Sequence, residues 1–193
     1  MATGFYTNKI YLEHDTGNHP ENADRLRAVD HHLRHSGLWN KLAVRPGRTA
    51  ELKEIAMLHS KRYIDSVQEA VELGRGTLGT PDCVISPGTF GAALHAVGAV
   101  LDSVCQVAEG KLDNAFCAVR PPGHHAEHDS AMGFCFFNNV AIAAEFLRKN
   151  LRYQRILIFD FDVHHGNGTQ HLFEETAQVL YASTHQDPRT CYP

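Results

Sequence analysis

Residues 155–161 carry an aliphatic and aromatic run, Ile156-Leu157-Ile158-Phe159. It passes without a break into Asp160-Phe161-Asp162-Val163-His164-His165-Gly166-Asn167-Gly168. The run reads as a buried strand. If the chain stays extended, side chains alternate between faces, so Asp160, Asp162 and His164 share one side and Phe161 and Val163 the other. Two carboxylates at the end of a buried strand are costly without a counter-charge. A metal ion resolves that conflict, and Asp with His suits zinc, with other first-row metals open.

The rest of the chain alternates strand and helix signals. Strands are expected at 4–7, 42–44, 114–119, 155–161 and 178–183. Helices are expected at 21–36, from a Ser60 cap to Leu73, from a Ser86-Pro87 start to about 109, at 138–149 and at 170–175. Leu26, Val29 and Leu33 share a face of the first helix, and residues 74–81 read as a Gly/Thr/Pro loop. This alternation predicts an α/β fold: a three-layer open sheet, mostly parallel, with helices on both faces. Ligands of such sheets bind beyond the carboxyl ends of strands. Two polar clusters fall there, one after each of the strands at 114–119 and 155–161.

Composition narrows the function classes. A net charge of −4 with no basic stripe gives no support for nucleic-acid binding. No signal-peptide pattern opens the chain, and no apolar run is expected to reach the ~20 residues a membrane helix needs, so a cytoplasmic protein is expected. The five cysteines include no Cys-x-x-Cys pair and read as reduced thiols. Fourteen histidines is a high count for 193 residues, which directs attention to where they cluster. His31, His32 and His35 read as solvent-exposed and His95 as a satisfied core histidine. His185 follows the last strand without a clear role.

The first polar cluster is Arg120-Pro121-Pro122-Gly123-His124-His125-Ala126-Glu127-His128, continuing to Gly133-Phe134-Cys135. Prolines stiffen the approach, and Gly123 is expected to permit an unusual backbone angle. Two adjacent imidazoles beside a carboxylate-rich strand end form a candidate proton-transfer pair. This cluster, the Met132–Val140 segment, the Asp160–Thr169 segment and the opening Glu13–Arg27 segment together resemble the motifs of the histone deacetylase superfamily. The resemblance is closest to class II enzymes and to bacterial acetoin-utilisation and acetylpolyamine-amidohydrolase types. It runs over nearly the whole chain, in order, and matches the N-terminal part of one deacetylase domain over 1–193, apparently truncated.

The resemblance implies a role for each matching residue. By it, Asp162 and His164 match two of three ligands of a catalytic zinc (Zn2+). His124 and His125 match the tandem active-site histidines, with Asp160 orienting His124. Asn167 faces His125 where some members have Asp, which should leave His125 a neutral base. Gly133 and Phe134 match the wall of the acyl-lysine tunnel, Arg25 an arginine of the internal channel, and Asp82 lies near a rim aspartate. Main-chain carbonyls of Asp160, Asp162 and His164 with Ser183 resemble a structural potassium (K+) site, and Phe173, Thr176 and Val179 part of a second. The third zinc ligand and the oxyanion-donating Tyr or His of the family fall outside these residues. The activity that the resemblance implies is hydrolysis of an acyl amide: acetyl-lysine in a peptide, an acetylpolyamine or a small acyl amide. The alternative is an inactive, truncated relative acting as a binding or assembly module, and an exposed sheet edge makes a homo-oligomer plausible. Two readings rank lower. An arginase-like two-metal site lacks its further Asp after His164. A phosphate loop at Gly166-Asn167-Gly168 rests on short glycine spacing alone.

Overall fold

In the computed structural model, which describes all residues 1–193, strands and helices alternate as the apolar pattern requires. The order is β1 (Thr3–Tyr6), α1 (Asp24–His35), β2 (Leu42–Arg45), α2 (Leu52–Ile55), α3 (Lys61–Glu72), β3 (Thr77–Leu78) and β4 (Thr80–Val84). Then come α4 (Thr89–Ala108), β5 (Asn114–Cys117), α5 (Asn139–Lys149), β6 (Ile156–Asp160), α6 (Asn167–Phe173) and β7 (Val179–Ser183).

Capping chemistry sets two helix starts as expected. Ser60 Oγ accepts from the Tyr63 N–H at 3.2 Å, and Asn138 Oδ1 from the Ala141 N–H at 3.2 Å. Each cap contributes about 1 kcal/mol. The start of α4 differs from expectation. The helix begins after Gly88, and the Ser86 hydroxyl instead accepts from the Asp15 N–H at 2.9 Å. Ser86 thus ties the loop after Glu13 to the helix rather than capping it.

The long helix α4 is the spine of the core. By length and composition alone it could cross a membrane, which corrects the expectation that no apolar run reaches that size. Here it packs Ala93, Val97 and Leu101 into a cluster with Ile64, Val67, Phe136, Phe137 and Ile142. Gly98 is required at a close approach: a Cβ there would lie 2.1 Å from the Arg48 carbonyl oxygen. By contrast α1 buries no residue. Leu26 and Leu33 are half-buried and Val29 is exposed, so the apolar stripe only rests on the surface.

The strands register in separate ladders. β2-β1-β5 is parallel throughout, as is β6-β7, with Ile156 opposite Val179 and Asp160 opposite Ser183. The β3-β4 pair is an antiparallel hairpin that begins within the 74–81 stretch expected to be loop and runs on to Val84. Gly79, with φ +71°, makes its turn, and a Cβ there would meet the Ala131 carbonyl oxygen at 2.5 Å.

α5 and α6 cover one face of β6-β7, burying Ala141, Ala144, Ile158, Phe173 and Val179 together. The other face presents exposed Leu157, Phe159 and Leu180. An open apolar face of this kind favours association. The 193-residue chain is therefore expected to sediment as concentration-dependent oligomers, and the double substitution L157T/F159T to shift it toward monomer.

Two buried histidines make the fold acid-sensitive. His14 and His59 are each 1% exposed, and burial lowers both to a pKa of about 4. His59 Nε2 accepts from the Asn138 N–H at 2.9 Å, so its proton sits on Nδ1. Both side chains take up protons near pH 6.5 when unfolded but resist them when folded. The stability they confer is complete above pH 6.5 and declines as pH falls toward 4. The expected loss is on the order of 1 kcal/mol each by pH 5.5, measurable by urea unfolding at successive pH values.

Candidate active site

The loop between β5 and α5 holds the tandem histidines against the ends of β6 and α6. Gly123 lets this loop lie on the start of α5, since a Cβ there would meet the Asn139 nitrogen at 2.6 Å. Close approach, not the expected unusual backbone angle, explains this glycine, because its φ is not positive. Asn138 Nδ2 donates to the Ala126 carbonyl at 3.3 Å and to Thr169 Oγ1 at 3.1 Å, and the Thr169 N–H donates to the His124 carbonyl at 3.1 Å. The loop is thereby fixed from both helices.

His124 Nδ1 lies 2.9 Å from Asp160 Oδ2, both largely buried. Tyr181 donates its hydroxyl proton to the same oxygen at 3.1 Å and accepts from the Gly166 N–H at 3.1 Å. Burial pushes the Asp160 carboxyl up, but its bonds to His124, the Asp162 N–H and Tyr181 outweigh that and hold it below the usual carboxylate range. Only glycine fits at Gly166, where a Cβ would lie 2.4 Å from Asp160 Oδ2 and 2.7 Å from the Tyr181 hydroxyl.

His125 is 4% exposed, and its Nδ1 is 2.7 Å from Asn167 Oδ1. Burial first, and the neighbouring His124 second, lower its pKa to about 4, so the ring is neutral near pH 7. Gly133, with φ +55°, packs on this ring, where a Cβ would be 2.3 Å from His125 Cδ2. The two histidine rings sit 4.0 Å apart.

Beyond Asp160 the backbone bends, which corrects the extended alternation expected there. Asp160 Oδ1 accepts from the Asp162 N–H at 3.1 Å, and Asp162 Oδ1 from the His164 N–H at 2.8 Å. The bend still turns both side chains into one cleft. Asp162 Oδ1 and His164 Nδ1 are 3.0 Å apart. Two ligands on a tetrahedral zinc, with bonds of about 2.0–2.1 Å, stand about 3.3 Å apart. Donor types and spacing therefore fit two positions of a zinc site. No group of three or more His, Cys, Asp or Glu side chains is arranged to hold one metal ion, so no third ligand joins the pair.

A cleft of about 490 Å³ brings together His124, His125, Asp162, His164, Arg25, Asp82, Gly133 and Phe134, all singled out in the sequence. Asp160 and Asn167 stand behind the histidines they bond. Of the residues matched to potassium, Asp162 and His164 line the cleft, while Asp160, Ser183, Phe173, Thr176 and Val179 lie outside its lining. The Asp160 carbonyl accepts from the Thr184 N–H at 3.0 Å, and the Phe173 and Thr176 carbonyls from Thr176 and Val179 at 2.8 and 3.1 Å. Ser183 Oγ bonds His185 Nδ1 at 2.8 Å, which places His185 outside the cleft.

Three residues of the site gain their roles only from the structure. Tyr192 lines the cleft with its ring 5.0 Å from that of His125 and 6.2 Å from that of His164. An aromatic next to proline after the last strand is its only signal. Tyr181 is the hydroxyl on Asp160. Glu21, 3% exposed, forms the floor: its carboxylate receives Arg120 Nε at 2.6 Å and Nη2 at 2.9 Å, and Arg25 Nη1 at 3.0 Å.

The family profile described as "Histone deacetylase domain" matches residues 19–193. Human "Histone deacetylase 9" is 41% identical, with 96% of this chain and 21% of that protein aligned. A "Probable deacetylase" of Methanothermobacter thermautotrophicus is 41% identical over 95% of this chain and 54% of its own length. The crystal structure of an HDA15 HD domain superposes with a TM-score of 0.92 at 34% identity, covering 100% of this chain and 55% of that one. The chain spans about half or less of the length of these relatives.

Proposed function

The chain belongs to the histone deacetylase family, and from that premise we propose that its cleft serves zinc-dependent hydrolysis of an acetyl or acyl amide. The observation that carries the reading is the placement of a neutral, buried His125 beside the Asp162–His164 donor pair in one cleft.

Asp162 and His164 would hold the zinc, with a third ligand from outside these residues. When bound, the metal polarises the acyl carbonyl and lowers the pKa of water at that point. His125 takes the proton of the attacking water at Nε2, the ring nitrogen not engaged by Asn167, and later delivers it to the leaving amine. His124, held by Asp160, stabilises charge that develops in the transition state. Phe134, Gly133 and Tyr192 form apolar walls suited to a slender acylated amine, and Asp82 and Arg25 supply charge at the margins. Potassium held by carbonyls at Asp160, Asp162 and His164 with Ser183, and at Phe173, Thr176 and Val179, would stiffen the backbone behind the site.

The test is acetate release from an acetyl-lysine peptide and from an acetylpolyamine, with and without a zinc chelator. Release that the chelator abolishes, and that D162N lacks, supports the reading. No release from the zinc-supplied full-length protein with any acyl amine contradicts it and favours a binding or assembly role.

A further inference from the structure

Beneath the tandem histidines lies a chain of contacts that the proposed reaction does not use. Asn167 is 7% exposed and bonds in two directions. Its Oδ1 faces His125 Nδ1 at 2.7 Å, and its Nδ2 faces Glu127 Oε1 at 2.6 Å. That Glu127 oxygen also receives His171 Nδ1 at 2.8 Å from the surface side, and the Glu127 N–H donates to the Ser130 carbonyl at 3.0 Å.

The hydrogen-bond inventory fixes every proton along this chain. An ionised carboxylate only accepts, so the asparagine atom facing Glu127 must be the NH₂ group. The amide is planar with two unlike ends, so its oxygen must then face His125. An oxygen only accepts, so His125 Nδ1 must carry the proton. A neutral imidazole has one N–H, so Nε2 is left as a free lone pair. Asn167 Nδ2 also lies 3.4 Å from Met132 Sδ, a weak acceptor; without the Glu127 charge only that contact would orient the amide, and both tautomers of His125 could form.

We propose that Glu127 is a positioning residue: its carboxylate orients the Asn167 amide, and through it selects the Nδ1–H tautomer of His125. The proposal rests on the reading of His125 as the base, which needs an unprotonated Nε2. Burial supports it. His125 is 4% exposed and its Nδ1 lies 2.7 Å from Asn167 Oδ1, so the amide's orientation decides which ring nitrogen is left available. Glu127 is half-buried, where a carboxylate acts on a neighbouring dipole with less screening than at the surface.

The test is nitrogen-15 NMR of the imidazoles in the full-length protein, with His125 assigned by its loss in H125A. The parent should show one form, with a pyrrole-type Nδ1 and a pyridine-type Nε2. E127K should invert it, because an ammonium attracts the amide oxygen and turns the NH₂ toward His125. Deacetylation by E127K should then fall by roughly 10²-fold in kcat with little change in KM. E127A removes only the acceptor and should give a mixture of tautomers, and it decides the matter if E127K does not fold. An unchanged Nδ1–H form in E127K, or in E127A, overturns the proposal. The spectrum is independent of turnover: an inverted tautomer in a protein that never releases acetate supports the positioning role while contradicting the proposed function.

Discussion

Replacing Glu21 with alanine is expected to cost about 3–5 kcal/mol of stability, the largest effect of any single substitution outside the apolar core. The side chains of Arg120 and Glu21 are 0% and 3% exposed, and both guanidinium–carboxylate contacts are direct. Arg120 Nη1 adds a bond to the Tyr11 carbonyl at 2.7 Å. Removing the carboxylate leaves Arg120 charged and buried with a backbone oxygen as its remaining partner. His14 cannot substitute, because an imidazole carries no negative charge in either protonation state. The reverse change, R120M, should cost less, since Arg25 still reaches Glu21 at 3.0 Å. The double variant E21L/R120M should recover part of the loss, because it leaves no unpaired buried charge. Urea midpoints at constant slope would register this order. Equal, small effects for both single variants would mean that the pair contributes little.

The second large effect is on turnover. H125A should lower acetate release by about 10²–10⁴-fold, because no other unprotonated ring nitrogen in the cleft is placed to take the water's proton. His124 is a poor substitute, since its Nδ1 is committed to Asp160 and holds the ring in place. Zinc content should not change, because His125 is not one of the two donors. Stability should fall only by the cavity left at a small polar ring. Near-normal turnover in H125A would remove His125 from the role of base.

Much of this is legible in the sequence because it is local. The Ser60 and Asn138 caps, the buried run before Asp160 and the tandem histidines depend on neighbours within a few positions. The motifs also bring eight of the cleft-lining residues into view from sequence alone. What the sequence conceals is set by distant partners. Glu21 and Arg120 are 99 residues apart, and nothing local marks either as buried. Ser86 has the composition of a helix cap, yet its hydroxyl is taken by Asp15 from another loop. The β3–β4 hairpin looks like loop because both strands are short and their turn is a single glycine. Alternation fails after Asp160 because carboxylates capture the next backbone N–H groups, a competition that extended-chain periodicity ignores. Tyr192 carries no motif, and its contact with His125 arises only when the segment after β7 folds over the cleft.

Asp162 and His164 form the proposed metal-binding pair beside His125. Zinc titration of the full-length protein by calorimetry, compared with its D162A/H164A and H125A variants, tests this. The account predicts one zinc per chain for the parent and for H125A, and loss of that binding in D162A/H164A. Undiminished zinc binding by D162A/H164A would contradict it.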